Sequence, residues 1–150
     1  MTKNNIRVHA TCVALLDVDG VWSGVLLRGP SGVGKSDLAL RLIDEGARLV
    51  TDDQAELRPV GDTLLACAPE TIAGKIEARG IDIVELPHMD AVPLRLVCDL
   101  VAPGEDWVAR LPDPGVVRLA GIELPLIVLA PFEASAPAKL RLVFGTRLKV

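Results

Sequence analysis

Aromatic residues are scarce in this sequence of 150 residues, which contains no tyrosine, two tryptophans and two phenylalanines. Basic charge is not in excess either, because 16 lysines and arginines stand against 20 aspartates and glutamates. Nucleic-acid binding relies on a positive surface and, for single strands, on aromatic side chains that stack on bases. The composition therefore argues against a nucleic-acid partner.

Long hydrophobic runs are also missing. No stretch approaches the roughly 20 apolar residues that a membrane-spanning helix needs, and the N-terminal MTKNNIRVHA lacks the apolar core of a secretion signal. We therefore expect a cytoplasmic protein that does not interact with a membrane.

Cysteine is limited to Cys12, Cys67 and Cys98, which are widely spaced and set among apolar neighbours. An odd number at these separations excludes a framework of paired disulfides, and no two lie at the short spacing of a zinc site. We expect all three to be small core residues.

Aliphatic residues dominate what is present, since half of the chain is hydrophobic and most of that half is valine, leucine, isoleucine and alanine. Proline and glycine are scattered, and no repeat or linker interrupts the chain. The length suits a single domain over residues 1–150.

The apolar pattern predicts a strand-rich α/β fold with one main helix. The helix spans 36–45, where Leu38, Ala39, Leu42 and Ile43 share a face, and a weaker helix is predicted over 137–148. An Asp-Gly turn over 17–20 predicts a hairpin. Strands are expected at 6–16, 21–28, 48–50, 55–57, 64–67, 81–86, 94–100, 116–119 and 124–129.

The strongest motif lies between the second predicted strand and the helix. Its residues match Gly-x-x-x-x-Gly-Lys-Ser/Thr, a phosphate-binding loop, in the context of a strand before and a helix after. Backbone N–H groups of such a loop turn inward on phosphate oxygens, and the helix N-terminus adds its positive end. The loop consists of Gly29, Pro30, Ser31, Gly32, Val33, Gly34, Lys35 and Ser36.

This motif predicts ATP and Mg²⁺ as ligands. Lys35 is expected to reach the β- and γ-phosphates, and the Ser36 hydroxyl to ligate Mg²⁺. Phosphoryl transfer further needs a group that orients the acceptor, and a carboxylate at the end of a neighbouring strand suits this. Asp52 and Asp53 follow the strand at 48–50, and if the strand continued their side chains would diverge.

Three segments in this order resemble the catalytic C-terminal domain of HPr kinase/phosphorylase, in its short form without the N-terminal domain: RVHATCVAL, GPSGVGKSDLALRLIDEGARLVTDDQAEL and KIEARGIDIVEL. The resemblance implies a P-loop kinase core similar to that of PEP carboxykinase. It also implies phosphorylation of a serine on the phosphocarrier protein HPr, reversal by inorganic phosphate with release of pyrophosphate, and a homo-oligomer, a hexamer in the family.

The resemblance also implies residue roles. Asp52 matches the catalytic acid/base, with Asp53 placed near the metal. His9 and Arg110 match further catalytic residues, the latter for dephosphorylation, and Glu77 matches a second Mg²⁺ ligand beside Ser36. Asp82 departs from the family, which has a glycine there, so reversal is left open.

Two other functions remain compatible with the phosphate loop. One is a small-molecule kinase or NTPase, and the other is a non-catalytic module that senses ATP and reports it to a partner.

Overall fold

The computed structural model of the chain describes residues 5–102 and 115–145. These residues form two α-helices and eleven β-strands, with a short 3-10 turn at Glu70–Ile72. The helices are α1 (Lys35–Asp44) and α2 (Ala136–Gly145). The strands are β1 (Ile6–Val8), β2 (Ala10–Leu16), β3 (Trp22–Arg28), β4 (Arg48–Thr51), β5 (Ala55–Val60), β6 (Thr63–Cys67), β7 (Lys75–Ala78), β8 (Asp82–Glu85), β9 (Ala91–Leu100), β10 (Gly115–Leu119) and β11 (Ile122–Leu129).

Nine strands form one sheet. Seven follow the order β1-β5-β6-β9-β3-β2-β4, and β11 pairs with both β9 and β10. Strands β3, β9 and β11 run parallel to one another, whereas their other pairings are antiparallel. The carboxyl ends of these three strands therefore meet at one edge of the sheet, where open α/β sheets bind their ligands.

The β2–β3 hairpin lies between β9 and the edge strand β4. Its turn is closed by a hydrogen bond from the Gly20 N–H to the Asp17 carbonyl, as the Asp-Gly signal predicted. Strand β2 is buried from Ala10 to Leu15, because its alternate residues lie in the apolar clusters on the two faces of the sheet. Burial on both faces explains why its sequence is continuously apolar and does not alternate.

The core lies on both faces of the sheet. On one face the apolar side of α1, with Leu38, Ala39 and Leu42, packs against residues of β2, β3 and β9. On the other face a second apolar cluster joins β2, β3, β5, β6 and β9. Helix α1 is thus held flat on the sheet by burial of its apolar face, with the phosphate loop at its N-terminus.

Three secondary-structure predictions needed correction. The strand predicted over 6–16 is interrupted at His9, because β1 pairs with β5 while β2 pairs with β3 and β4. Strand β7 was not predicted, and it forms a separate two-stranded hairpin with β8. Strand β5 continues through Pro59 to Val60, beyond its predicted end. Each difference comes from strand pairing, which the local pattern does not encode.

The second helix, α2, is as long as α1. It buries Ala136, Pro137, Leu140 and Phe144, and its Arg141 pairs with Glu45, the C-cap residue of α1. Within the part of the chain that the structure describes, neither helix is long and apolar enough to cross a membrane.

Candidate active site

The phosphate loop leaves β3 at Gly29 and enters α1 at Lys35, between the predicted strand and helix. Gly34 is the N-cap residue, with a φ of 113° and no side-chain cap. Gly32 also has a positive φ of 84°. These left-handed conformations suit glycine and let successive N–H groups point to one side of the loop. The loop therefore offers backbone donors and a helix N-terminus to an anion.

Lys35 lies under this loop, with only 5% of the residue exposed. Its ammonium group donates to the carbonyls of Gly29 at 2.8 Å and Pro30 at 3.1 Å. The same nitrogen lies 3.4 Å from His9 Nε2. A buried ammonium needs several acceptors, and these contacts hold its positive charge at the loop.

Asp52 lies directly after β4, beside the first turn of α1. Its Oδ1 accepts a hydrogen bond of 2.6 Å from the Ser36 hydroxyl and one of 3.1 Å from the Thr11 hydroxyl. Its Oδ2 accepts from the Glu77 backbone N–H at 3.2 Å. Three of the roughly four acceptor positions of this carboxylate are therefore already used by the protein.

Within residues 5–102 and 115–145, Asp53 forms one ion pair, with His9, whose Nε2 lies 3.3 Å from Asp53 Oδ1. The Asp53 side chain is 56% exposed. Strand β4 ends at Thr51, and Asp53 adopts a left-handed φ of 69°. The simple alternation expected for a continuing strand therefore does not apply, and both carboxylates stay near the loop.

Thr11 is a site residue that the sequence analysis missed. It is fully buried in β2, and its hydroxyl donates to Asp52 while accepting a 3.0 Å hydrogen bond from the Asp53 N–H. The main chain of β2 adds a bond from the Ala10 N–H to the Asp53 carbonyl. A lone hydroxyl in the apolar run ATCVALL was the available signal, since a buried polar group requires a partner.

The remaining predicted site residues are placed as follows. His9 lies between Lys35 and Asp53. Glu77 is brought to Asp52 by its backbone, and its side chain is exposed at the β7–β8 hairpin. Arg110 lies outside the described residues, so its predicted role stays a prediction.

The oxygen donors near Ser36 suit Mg²⁺. The Ser36 hydroxyl and the Asp52 carboxylate offer hard oxygen atoms of the kind that Mg²⁺ prefers, whereas Glu77 contacts Asp52 only through its backbone N–H. Among residues 5–102 and 115–145, no group of three or more His, Cys, Asp or Glu side chains could hold a metal ion unaided. Mg²⁺ sites commonly use one or two protein oxygens together with substrate phosphates and water, and Mg²⁺ binding by Ser36 and Glu77 stays a prediction.

The three cysteines are not part of this arrangement. All are free thiols, with Cys12 and Cys98 buried and Cys67 half-buried. The core position expected for Cys12 and Cys98 is confirmed, and that of Cys67 is only partly so. Burial raises the pKa of all three thiols, which keeps them protonated at neutral pH.

Comparison with known proteins gives consistent matches. An HPr kinase/phosphorylase from Caldanaerobacter subterraneus is 45% identical over 106 residues, which cover 68% of this chain and 33% of the relative. One from an Exiguobacterium species is 38% identical over 125 residues, covering 77% and 40%. One from Alkaliphilus metalliredigens is 41% identical over 97 residues, covering 62% and 31%. The matched part of this chain thus spans 31–40% of the length of these relatives.

A solved structure extends the match to the whole fold. The structure of the Hpr(Ser) kinase/phosphatase from Coxiella burnetii has a TM-score of 0.76 and 26% identity, and the match covers 91% of each chain. This confirms the strand-rich α/β class with its P-loop core. The family model for the HPr Serine kinase C-terminal domain matches residues 2–91, which include the phosphate loop and both aspartates, so the chain belongs to this family.

Proposed function

We propose that this chain uses ATP and Mg²⁺ to phosphorylate a serine on the phosphocarrier protein HPr. The observation that carries the proposal is that two carboxylates lie close to Lys35 and Ser36. Asp52 is hydrogen-bonded to Ser36 at 2.6 Å, and Asp53 is linked through His9 to Lys35 at 3.3 and 3.4 Å. A nucleotide-binding loop alone does not need the second carboxylate, whereas transfer to a hydroxyl needs a positioned base.

The contacts favour a division of labour between the aspartates that differs from the one implied by family resemblance. Asp52 is occupied by Ser36, Thr11 and the Glu77 N–H, which suits a carboxylate that positions the metal-ligating hydroxyl. Asp53 is exposed and has acceptor positions free for an incoming hydroxyl. We therefore assign the role of general base to Asp53. To Asp52 we assign the role of positioning the Ser36 hydroxyl that binds Mg²⁺.

In the forward reaction, the acceptor seryl oxygen forms a bond to the γ-phosphorus while the bond to the β,γ-bridging oxygen breaks and ADP leaves. The seryl proton passes to the carboxylate of Asp53, which His9 holds in place. Lys35 and the loop N–H groups hold the phosphate oxygens and balance their charge. Ser36, positioned by Asp52, would hold Mg²⁺, and the bound ion would neutralise negative charge on the phosphates.

The reverse reaction uses the same groups. An oxygen of inorganic phosphate forms a bond to the phosphoserine phosphorus while the bond from that phosphorus to the seryl oxygen breaks. Pyrophosphate leaves, and the seryl oxygen takes a proton from protonated Asp53. Asp82 is the first residue of β8 and does not have a positive φ, whereas Gly80, two residues earlier, has a φ of 87°. The hairpin backbone therefore accepts a carboxylate at 82 without strain, and we include reversal in the proposal.

The experiment is a phosphorylation assay on HPr. The purified chain is incubated with ATP, Mg²⁺ and HPr, and the mass of HPr is followed. The Lys35→Ala variant, treated in the same way, is the inactive control. A gain of one phosphate that disappears in HPr with its acceptor serine replaced supports the proposal. Phospho-HPr is then incubated with orthophosphate, and pyrophosphate is measured.

The same assay separates the other functions. ATP turnover that is independent of HPr would indicate an NTPase or a small-molecule kinase. Tight ATP binding with no turnover under any condition would indicate a sensing module. Either result would overturn the proposal.

We also propose a cytoplasmic location from the lack of long apolar segments, one domain over 1–150 from the length, and a homo-oligomer from the family resemblance. Size-exclusion chromatography with light scattering tests the oligomer, and limited proteolysis tests the single domain.

A further inference from the structure

Phe132 lies against Gly34 of the phosphate loop. A Cβ atom built on Gly34 would lie 2.9 Å from Phe132 Cζ and 3.2 Å from Pro131 Cγ, so the aromatic ring touches the glycine that starts α1. Phe132 is nevertheless 53% exposed. One part of the ring therefore packs on the loop, and the rest is open to solvent.

The segment that carries this ring is held to α1 by Arg41. The Arg41 guanidinium donates to the carbonyl of Pro131, reaches that of Glu133 at 3.5 Å, and is bound by Asp37 at 3.0 Å. Arg41 lies seven residues after Gly34, two helical turns along the same face. Arg41 therefore holds the backbone on both sides of Phe132, while the ring itself contacts Gly34.

The topology places this segment at the sheet edge that carries the phosphate loop. It follows β11, and β11 runs parallel to β9 and β3, so its carboxyl end is at the same sheet edge as the phosphate loop. Ligands of parallel sheets bind outside these carboxyl ends. The loop amides and Lys35 account for the phosphates, which leaves the nucleoside to contact side chains beside the loop.

The other aromatic residues that the structure describes are not both exposed and close to the phosphate loop. Trp22 begins β3 and lies at the strand end opposite the loop, where it packs under Arg48. Phe144 is buried in α2 with 2% exposure. Among the described residues, Phe132 is therefore the aromatic side chain that is both exposed and in contact with the loop.

We propose that Phe132 stacks on the nucleobase of the bound nucleotide and that Arg41 positions it for this contact. The inference rests on the proposed function, because it assumes that the loop binds a nucleoside triphosphate. Stacking on one aromatic ring contributes to base binding without strong preference among bases. It requires no hydrogen bond from the ring, so an exposed phenylalanine is sufficient.

The test compares a ligand with a base and a ligand without one. Calorimetry with Mg²⁺ measures binding of ATP and of inorganic tripolyphosphate to the whole chain and to Phe132→Ala, Phe132→Leu and Phe132→Trp. We expect Phe132→Ala to weaken ATP binding about ten-fold and to leave tripolyphosphate binding within about two-fold of the original. Phe132→Leu keeps apolar contact with Gly34 and should still lose affinity for ATP, whereas Phe132→Trp should retain it.

Leu16→Ala is the matched control, since Leu16 is also 53% exposed and lies at the far end of the β2–β3 hairpin. It should change neither affinity. Equal loss of ATP and tripolyphosphate binding in Phe132→Ala and Phe132→Leu would show that the ring only supports the loop and would overturn the inference alone. Unchanged ATP binding in both variants would do the same. If the unaltered chain bound neither ligand, the proposed function would fail together with the inference.

Discussion

The hydroxyl of Ser36 and the carboxylate of Asp52 are joined by a hydrogen bond of 2.6 Å between the first turn of α1 and the end of β4. This bond connects the phosphate loop to the strand that carries both aspartates. It also fixes the orientation of the hydroxyl that we assign to Mg²⁺. Asp52 thus contacts Ser36 whereas Asp53 contacts His9, and their substitutions should have different effects.

Asp53→Asn should lower kcat for HPr phosphorylation by about 10² to 10⁴, because it removes the general base, while the KM for ATP stays within about three-fold. Asp52→Asn should instead weaken binding of ATP with Mg²⁺ by about ten-fold or more, because Ser36 loses a charged acceptor. Steady-state kinetics and calorimetry measure the two effects. Asp62→Asn, in the exposed turn between β5 and β6, is the control. The opposite pattern would return the base role to Asp52.

Thr11→Val should destabilise the fold by about 1–3 kcal/mol, since it leaves the Asp53 N–H without the acceptor it has at 3.0 Å. It should also reduce kcat, because both aspartates lose a contact that positions them. Thr11→Ser keeps the hydroxyl and should restore most of the activity. Urea unfolding and the HPr assay are the measurements. Equal activity of the valine and serine variants would contradict a positioning role for this hydroxyl.

Gly34→Ala should destabilise the fold and abolish ATP binding. Its φ of 113° is unfavourable for alanine, and the new Cβ would meet Phe132 at 2.9 Å. Gly61→Ala is the control, because Gly61 has a φ of 60° with no atom within 4 Å of the built Cβ. That variant should show only the backbone cost, about 1–2 kcal/mol.

A double variant isolates the steric part of the Gly34 effect. Combined with Phe132→Ala, Gly34→Ala should destabilise the fold by at least about 0.5 kcal/mol less than it does alone, because the clash is removed. Thermal unfolding of the original chain, the two single variants and the double variant gives the coupling free energy between positions 34 and 132. Strict additivity would show that the ring does not contact the glycine in solution.

Alkaline pH should destabilise the protein through Cys12 and Cys98. Burial raises the pKa of both thiols above the ordinary value of 9.0, and the neighbouring Cys67 and Asp99, respectively, raise it further. The folded state therefore keeps protons that the unfolded state releases, so stability is complete below pH 9.0 and falls above it. The slope is about 1.4 kcal/mol per pH unit for each thiol.

Unfolding in urea from pH 7 to 10.5 measures this loss. Cys12→Ala and Cys98→Ala should be less stable at pH 7, because they create cavities, but should lose less stability on the alkaline side. A parallel decline in the variants and the original chain would contradict the assignment. Ellman's reagent should react with Cys67 before the two buried thiols.

Much of the fold was predictable from local pattern. The helix at α1, the β2–β3 hairpin and the glycine loop between them follow from apolar periodicity, an Asp-Gly turn and a phosphate-binding motif, all of which are encoded within a few residues. The pairing of strands was not predictable, because register depends on residues far apart in the chain. For that reason the interruption at His9 and the β7–β8 hairpin were missed.

Local sequence is sufficient to predict a phosphate loop with Lys35 and Ser36 before an amphipathic helix, and two adjacent aspartates after the next strand. What those aspartates contact depends on the tertiary structure. The end of β4 at Thr51 and the left-handed backbone of Asp53 direct one carboxylate to Ser36 and the other to His9. Such contacts arise from the packing of β2, β4 and α1, whose residues are distant in sequence, so local pattern could not specify them.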